Sequence, residues 1–176
     1  MRANIKLAIL FPCSVLVGAL LYVFMHELGH TIVAIGCGAE ITEFSILKAH
    51  MSYNGGVFSR AMFSLFHAAG VLFPIILTVP IIIAYKRGKK SVLYHCCYMT
   101  ICLWGVSPLL AWLIVPVVSM VSSPPQGDDA AKFIMSSGWH PMIVFAYALI
   151  ILVGMLVLIV KKGIIQELST MLKGLS

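Results

Sequence analysis

Leu20-Leu21-Tyr22-Val23-Phe24-Met25-His26-Glu27-Leu28-Gly29-His30-Thr31 decides how this chain is read. It sets three ionisable side chains, His26, Glu27 and His30, inside an apolar run extending from Leu7 to about Cys37. Titratable groups at membrane depth are costly and mark function by default. On a helix, positions i and i+4 share a face, so His26 and His30 present two imidazoles to a single zinc ion. Glu27 projects beside them. In H-E-x-x-H chemistry the metal lowers the pKa of a bound water, and the carboxylate serves as general base and then general acid. The plain alternative is a chance match or a buried polar network between helices. The apolar sequence around the motif argues against both.

Working outward, the whole chain has the composition of a membrane protein. Of its 176 residues 61% are hydrophobic and only 10% are charged, with a mean hydropathy of +1.04. Soluble domains carry roughly 25% charged residues. A bilayer is crossed by about 20 residues of helix. Four stretches meet that length: Leu7 to about Cys37, Ala61 to Tyr85, Ser91 to Val121 and Pro141 to Val160. With no repeat or low-complexity tract, residues 1–176 read as a single polytopic membrane domain. The expected fold is an all-α multi-pass membrane protein with about four transmembrane helices. Arg2 and Lys6 before an apolar run also describe a secretory signal. The apolar character continues past Ala19 to Gly36, however, so an uncleaved helix is expected.

The net charge of +6 does not form a nucleic-acid face, because the cations cluster at span boundaries. Placing the even-numbered connections in the cytoplasm puts nine cations there, against three (Lys48, Arg60, Lys132) outside. The positive-inside rule then predicts cytoplasmic termini. Lys6 to His26 is about 30 Å of helix, so the motif lies near the opposite face. The five cysteines show no C-x-x-C pairing and read as small buried hydrophobes.

Two histidines do not complete a catalytic zinc site; a third protein ligand is needed, with the fourth position left for water. A metzincin would place a histidine at position 36, where this chain has Gly36. Glu167 follows Lys161 and Lys162 at the opposite membrane face, and Glu40 and Glu43 fall in a strand-like stretch. Asp128 and Asp129 remain, in the connection that the span count puts on the side of His30. Asp128 is well placed to cap a short helix beginning Ala130-Ala131-Lys132-Phe133, which would leave Asp129 free to reach the histidines. His67 reads first as a helix-packing contact, with hydrogen bonding to a ligand or substrate as the alternative. His50 and His140 are weaker candidates as ligands, and His95 lies near the basic loop.

Met25-His26-Glu27-Leu28-Gly29-His30-Thr31 resembles the zinc motif of site-2-type intramembrane metalloproteases. Glu40 to Ser59, with Asn54-Gly55-Gly56 as its turn, reads as a β-hairpin, similar to the membrane-associated hairpin that follows the zinc helix in that family. His67 to Pro74 resembles the family's Ala-Gly-Pro segment, with Val71 in place of the proline. Pro124-Pro125-Gln126-Gly127-Asp128-Asp129 resembles the proline-rich stretch carrying the family's aspartate ligand, though without its usual Asp-Gly. Asp129-Ala130-Ala131, with Pro141 opening the last span, is closest to the short, single-domain members. The resemblance covers most of residues 20–145. It implies one Zn2+ held by His26, His30 and Asp129 (Asp128 the alternative), with Glu27 catalytic. It also implies a membrane-anchored protein substrate. In several family members the zinc helix runs toward the cytoplasm, opposite to the side the cations indicate here. The competing expectation is a non-catalytic membrane protein that binds metal or substrate, a degenerate protease. An intact Glu27 argues against it, since a metal carrier needs no base beside its ligands.

Overall fold

The computed structural model describes residues 2–125 and 127–173, with side-chain environments for 7–125 and 127–170. Gln126 and the side chains of Arg2, Lys6 and Lys173, three of the cations counted above, lie outside the described residues. The elements in order are α1 (Arg2–Gly36), β1 (Ala39–Ser45), β2 (His50–Gly55), α2 (Arg60–Ile83), α3 (Val92–Val121), α4 (Asp129–Ser137), α5 (Pro141–Lys162) and α6 (Ile164–Lys173). Four of these helices are long and apolar enough to cross a membrane: Leu7–Gly36, Arg60–Ile83, Val92–Val121 and Pro141–Lys162. Their bounds fall within a few residues of those expected from hydropathy.

Local chemistry sets the ends. Ser59 and Ser91 cap α2 and α3 by accepting from Met62 N and Tyr94 N. Asp128 caps α4, and His140 caps α5 immediately before Pro141. Gly138 (φ 67°) and Gly163 (φ 73°) close α4 and α5 in the left-handed conformation that glycine adopts without strain. Two arginines bind the last carbonyls of neighbouring helices. Arg60 donates to Ser136 O and Ser137 O at the end of α4. Arg87 donates to Lys161 O and Lys162 O at the end of α5. Cations suit helix C-termini, and these two tie the opposite ends of the bundle.

Helix α2 is the centre. More than half (56%) of its apolar window is buried, against 6% for α1. The main core joins Val71, Ile75 and Ile82 of α2 to Cys102 and Leu109 of α3, Met155 and Ile159 of α5, and Ile164 of α6. Elsewhere large apolar side chains such as Leu16, Val17 and Ile150 point outward, an arrangement suited to hydrocarbon rather than water. Cys96 and Cys102 are buried, but Cys13 and Cys97 are exposed, so only part of the cysteine set fills the interior as expected.

The hairpin forms in the expected stretch with a different turn. β1 and β2 pair antiparallel from Ala39↔Gly55 to Ser45↔His50, with an irregularity between Ile41 and Glu43. Their connection is therefore Ile46 to Ala49, not Asn54-Gly55-Gly56. Gly55 and Gly56 have φ of 70° and 82° and turn the chain out of β2, so that Val57 N donates to Cys37 O at 2.8 Å. The hairpin packs through Ala39 and Met51 on Ala34 of α1 and Phe66 of α2.

Candidate metal centre

Residues 26 and 30 lie on the α1 face that meets α2. The approach is possible because small residues stand on both sides. A Cβ on Gly70 would lie 2.6 Å from His26 Cε1 and 2.8 Å from His26 Nε2, and one on Gly29 would press into the Ala69 backbone. Helix α4 then delivers the third group. Ala130 and Ala131 bury against Val115 and Trp112 of α3. Asp128 Oδ1 accepts from Ala130 N at 2.8 Å and Ala131 N at 3.3 Å, leaving Asp129 in the first turn. Asp129 Oδ2 lies 3.1 Å from both His26 Nε2 and His30 Nε2, and the two Nε2 atoms are 3.2 Å apart. His26, His30 and Asp129 thus form a group that could hold a metal ion.

The hydrogen-bond chemistry of this triangle leaves room for one more proton or a metal ion. His30 Nδ1 lies 2.6 Å from Phe66 O. A carbonyl only accepts, so Nδ1 carries the hydrogen, and in the neutral ring Nε2 is a bare lone pair. Asp129 is ionised. As a carboxylate it offers acceptor oxygens only. Two acceptors therefore face each other at 3.1 Å. A proton or a metal ion must lie between them. The separations of 3.1–3.2 Å match the ligand–ligand edge of about 3.3 Å that follows from tetrahedral bonds near 2.0–2.1 Å. A backbone carbonyl on the far nitrogen of a ligating histidine is the usual support for such a site.

Glu27 is 5% exposed and its carboxylate has no hydrogen-bond partner among the described residues, while Thr31 Oγ1 donates to the Glu27 backbone carbonyl at 2.8 Å. One turn before His26, the Tyr22 hydroxyl stands 3.5 Å from His26 Nδ1, too long for a strong bond. The 22–26–30 helical spacing is the signal that would have flagged it. Phe66 O, a backbone group, leaves no trace in a residue pattern.

The other candidates lie elsewhere. Glu43 pairs with Lys48 at 2.7 Å, a bond that holds the Glu43 carboxyl below its ordinary value. Glu40 is exposed on β1. His50 contacts Ser52 Oγ, and His140 caps α5. Glu167 accepts from Gly88 N, near Arg87 and the end of α5. His67 lies on the α2 face near α4, outside the triangle. Comparison with protein-family models, curated proteins and solved structures finds no match for this chain.

Proposed function

We propose that this chain is a multi-pass integral membrane zinc endopeptidase, of the site-2 protease type, that cleaves membrane-anchored proteins within or beside the bilayer. One observation carries the reading: two histidines and an aspartate converge as three of the four ligands a catalytic zinc needs, with Glu27 on the helix of the histidines, and that helix is long and apolar enough to span a membrane. His2Asp also suits other divalent metals. The adjacent carboxylate favours hydrolysis, since it has no purpose in mere binding. Zinc, when bound, supplies a Lewis acid for the scissile carbonyl and acidifies a water.

The chain's own groups do the rest. Glu27, buried and unpartnered, accepts the proton of the attacking water and returns it to the leaving amine. His30 is held in its ligand tautomer by Phe66 O. A peptide bond in a transmembrane helix is cut only after that helix unwinds. Among the described residues the sheet has two strands, so each has one edge without a strand partner near the end of α1, and an unwound substrate can add to one as a further strand. The cation distribution puts the termini in the cytoplasm and the site near the opposite face. Impermeant thiol reagents applied to cells expressing a cysteine-free background should then label Ser52→Cys and spare Gly88→Cys. The reverse pattern moves the site to the cytosolic side.

The deciding experiment combines metal analysis with cleavage of single-span reporter proteins. Glu27→Gln should keep one zinc per chain and lose roughly a hundredfold or more of activity, the usual contribution of a general base. Comparable turnover in the mutant sinks the peptidase assignment. A parent protein that binds metal and cleaves nothing would be the non-catalytic binder.

A further inference from the structure

Along the seam of α2 and α4, beyond Asp129, lies an open pocket of about 470 Å³ lined by Arg60, Phe63 and His67 from α2 and Lys132, Met135 and Ser136 from α4. Lys132 is three residues after Asp129 and so shares its helix face, which sets the pocket about one turn along α4 from the donor triangle. Its polar lining is basic. Arg60 uses Nε and Nη2 on the carbonyls that end α4, and its Nη1 has no hydrogen-bond partner among the described residues. The Lys132 ammonium has no hydrogen-bond or ion-pair partner among the described residues, and the side chain is exposed. His67 is 6% exposed, and its Nδ1 is buried with no partner among the described residues.

None of the six Asp and Glu side chains lines this pocket. Glu27 belongs to the zinc motif and Asp129 to the triangle. Asp128 caps α4, Glu43 holds Lys48, Glu167 binds at Gly88, and Glu40 lies on β1. A pocket of ligand-binding size, with two cations, an unpartnered imidazole and no carboxylate in its lining, fits a carboxylate brought from outside. Charge-assisted hydrogen bonds to guanidinium and ammonium would hold it.

We propose that this pocket takes a carboxylate of the substrate polypeptide beside the cleaved bond, so that substrates with an acidic group at one fixed position are preferred. The proposal rests on the peptidase reading and names the substrate feature that the same site selects. The carboxylate has two possible sources, an Asp or Glu side chain or the chain's C-terminus.

The test uses equilibrium binding, which is independent of turnover. Fluorescein-labelled apolar peptides, each with one Asp moved along the sequence, are titrated by anisotropy against full-length, zinc-loaded Glu27→Gln protein in detergent. Asn counterparts and C-terminal amides complete the set. One Asp position should bind roughly tenfold or more tighter than its Asn counterpart, as expected for a hydrogen-bonded charged group. Lys132 is exposed, so Lys132→Glu should fold and keep its zinc while inverting the preference toward a Lys peptide, which a merely structural lysine would not do. Discrimination only between free and amidated C-termini would assign the pocket to a chain end. Equal affinity for Asp and Asn peptides, or no binding, overturns the proposal. So does loss of the preference in nanodiscs containing phosphatidylglycerol but not in phosphatidylcholine alone, because the pocket would then belong to a lipid headgroup. A parent that cleaves nothing yet keeps the Asp preference would remove the peptidase reading and leave the carboxylate site standing.

Discussion

His30 and His95 are both buried histidines with one ring nitrogen on a backbone carbonyl, and their other nitrogens have opposite surroundings. His95 Nε2 donates to Lys89 O at 2.6 Å, and its Nδ1 faces the Tyr85 hydroxyl at 3.0 Å. A neutral ring satisfies both bonds, since the hydroxyl can donate. His30 Nδ1 donates to Phe66 O, and its Nε2 faces a carboxylate oxygen and a second imidazole. With both imidazoles neutral and Asp129 ionised, the His30–Asp129 contact sets acceptor against acceptor. One histidine is finished by the protein and fastens a loop; the other needs an added proton or a metal ion. Burial does not tell the two apart. The sign of the group opposite the second nitrogen does.

The contrast can be broken most severely at Asp129. Asp129→Ala removes the charge opposite both histidines and should weaken zinc binding by more than about a hundredfold, the upper range for losing even a supporting hydrogen bond around a ligand. Zinc per chain, measured by mass spectrometry, should fall to background along with activity. Gly70→Ala comes next. Alanine favours a helix by about 1 kcal/mol over glycine, yet here its Cβ would meet the His26 and His30 rings. Roughly a ten- to hundredfold loss of zinc affinity is expected, on the scale of a disturbed ligand support; a competition titration against a chelator measures it. An unchanged affinity would mean that the rings are not seated against Gly70.

Tyr85→Phe probes the other histidine. Leaving the His95 Nδ1 acceptor unmet should cost about 1–3 kcal/mol, read as a lower thermal midpoint in detergent, with zinc content unaltered. Metal loss in that variant would erase the distinction drawn between the two histidines. The smallest effect belongs to Asp128→Ala, which removes the α4 cap for about 1 kcal/mol and should leave the metal in place. If Asp128→Ala empties the site and Asp129→Ala does not, the aspartate ligand is wrong by one residue.

Much of this was legible in one dimension because it depends on short-range periodicity. The four long helices follow from apolar runs, and the pairing of residues 26 and 30 follows from helical spacing. The Asp128 cap also follows from local sequence, the preference for Asp129 resting on that cap and on the family resemblance together. The hairpin turn did not read correctly. Asn54-Gly55-Gly56 carries the strongest turn signal in its stretch, but its glycines serve the exit from β2, while the actual connection ends on Ala49 at φ 47°. There the pairing of β1 with β2 overrode local preference. Helix α6 is too short for a hydropathy window to find. The α2–α4 seam was also invisible, because Arg60 and Lys132 are neighbours only once α4 has docked.

Helix α4 has nine residues, below the roughly 12–15 at which an isolated helix holds together in water. It persists because Arg60 grips one end, Asp128 caps the other, and two alanines bury beneath it. Two of the three donors ride on a long rigid helix and the third on this short arm. Metal exchange should therefore be timed by the arm. An ion would escape at the rate at which α4 lifts away, and the residence time of the metal becomes a clock for the opening of residues 129–137.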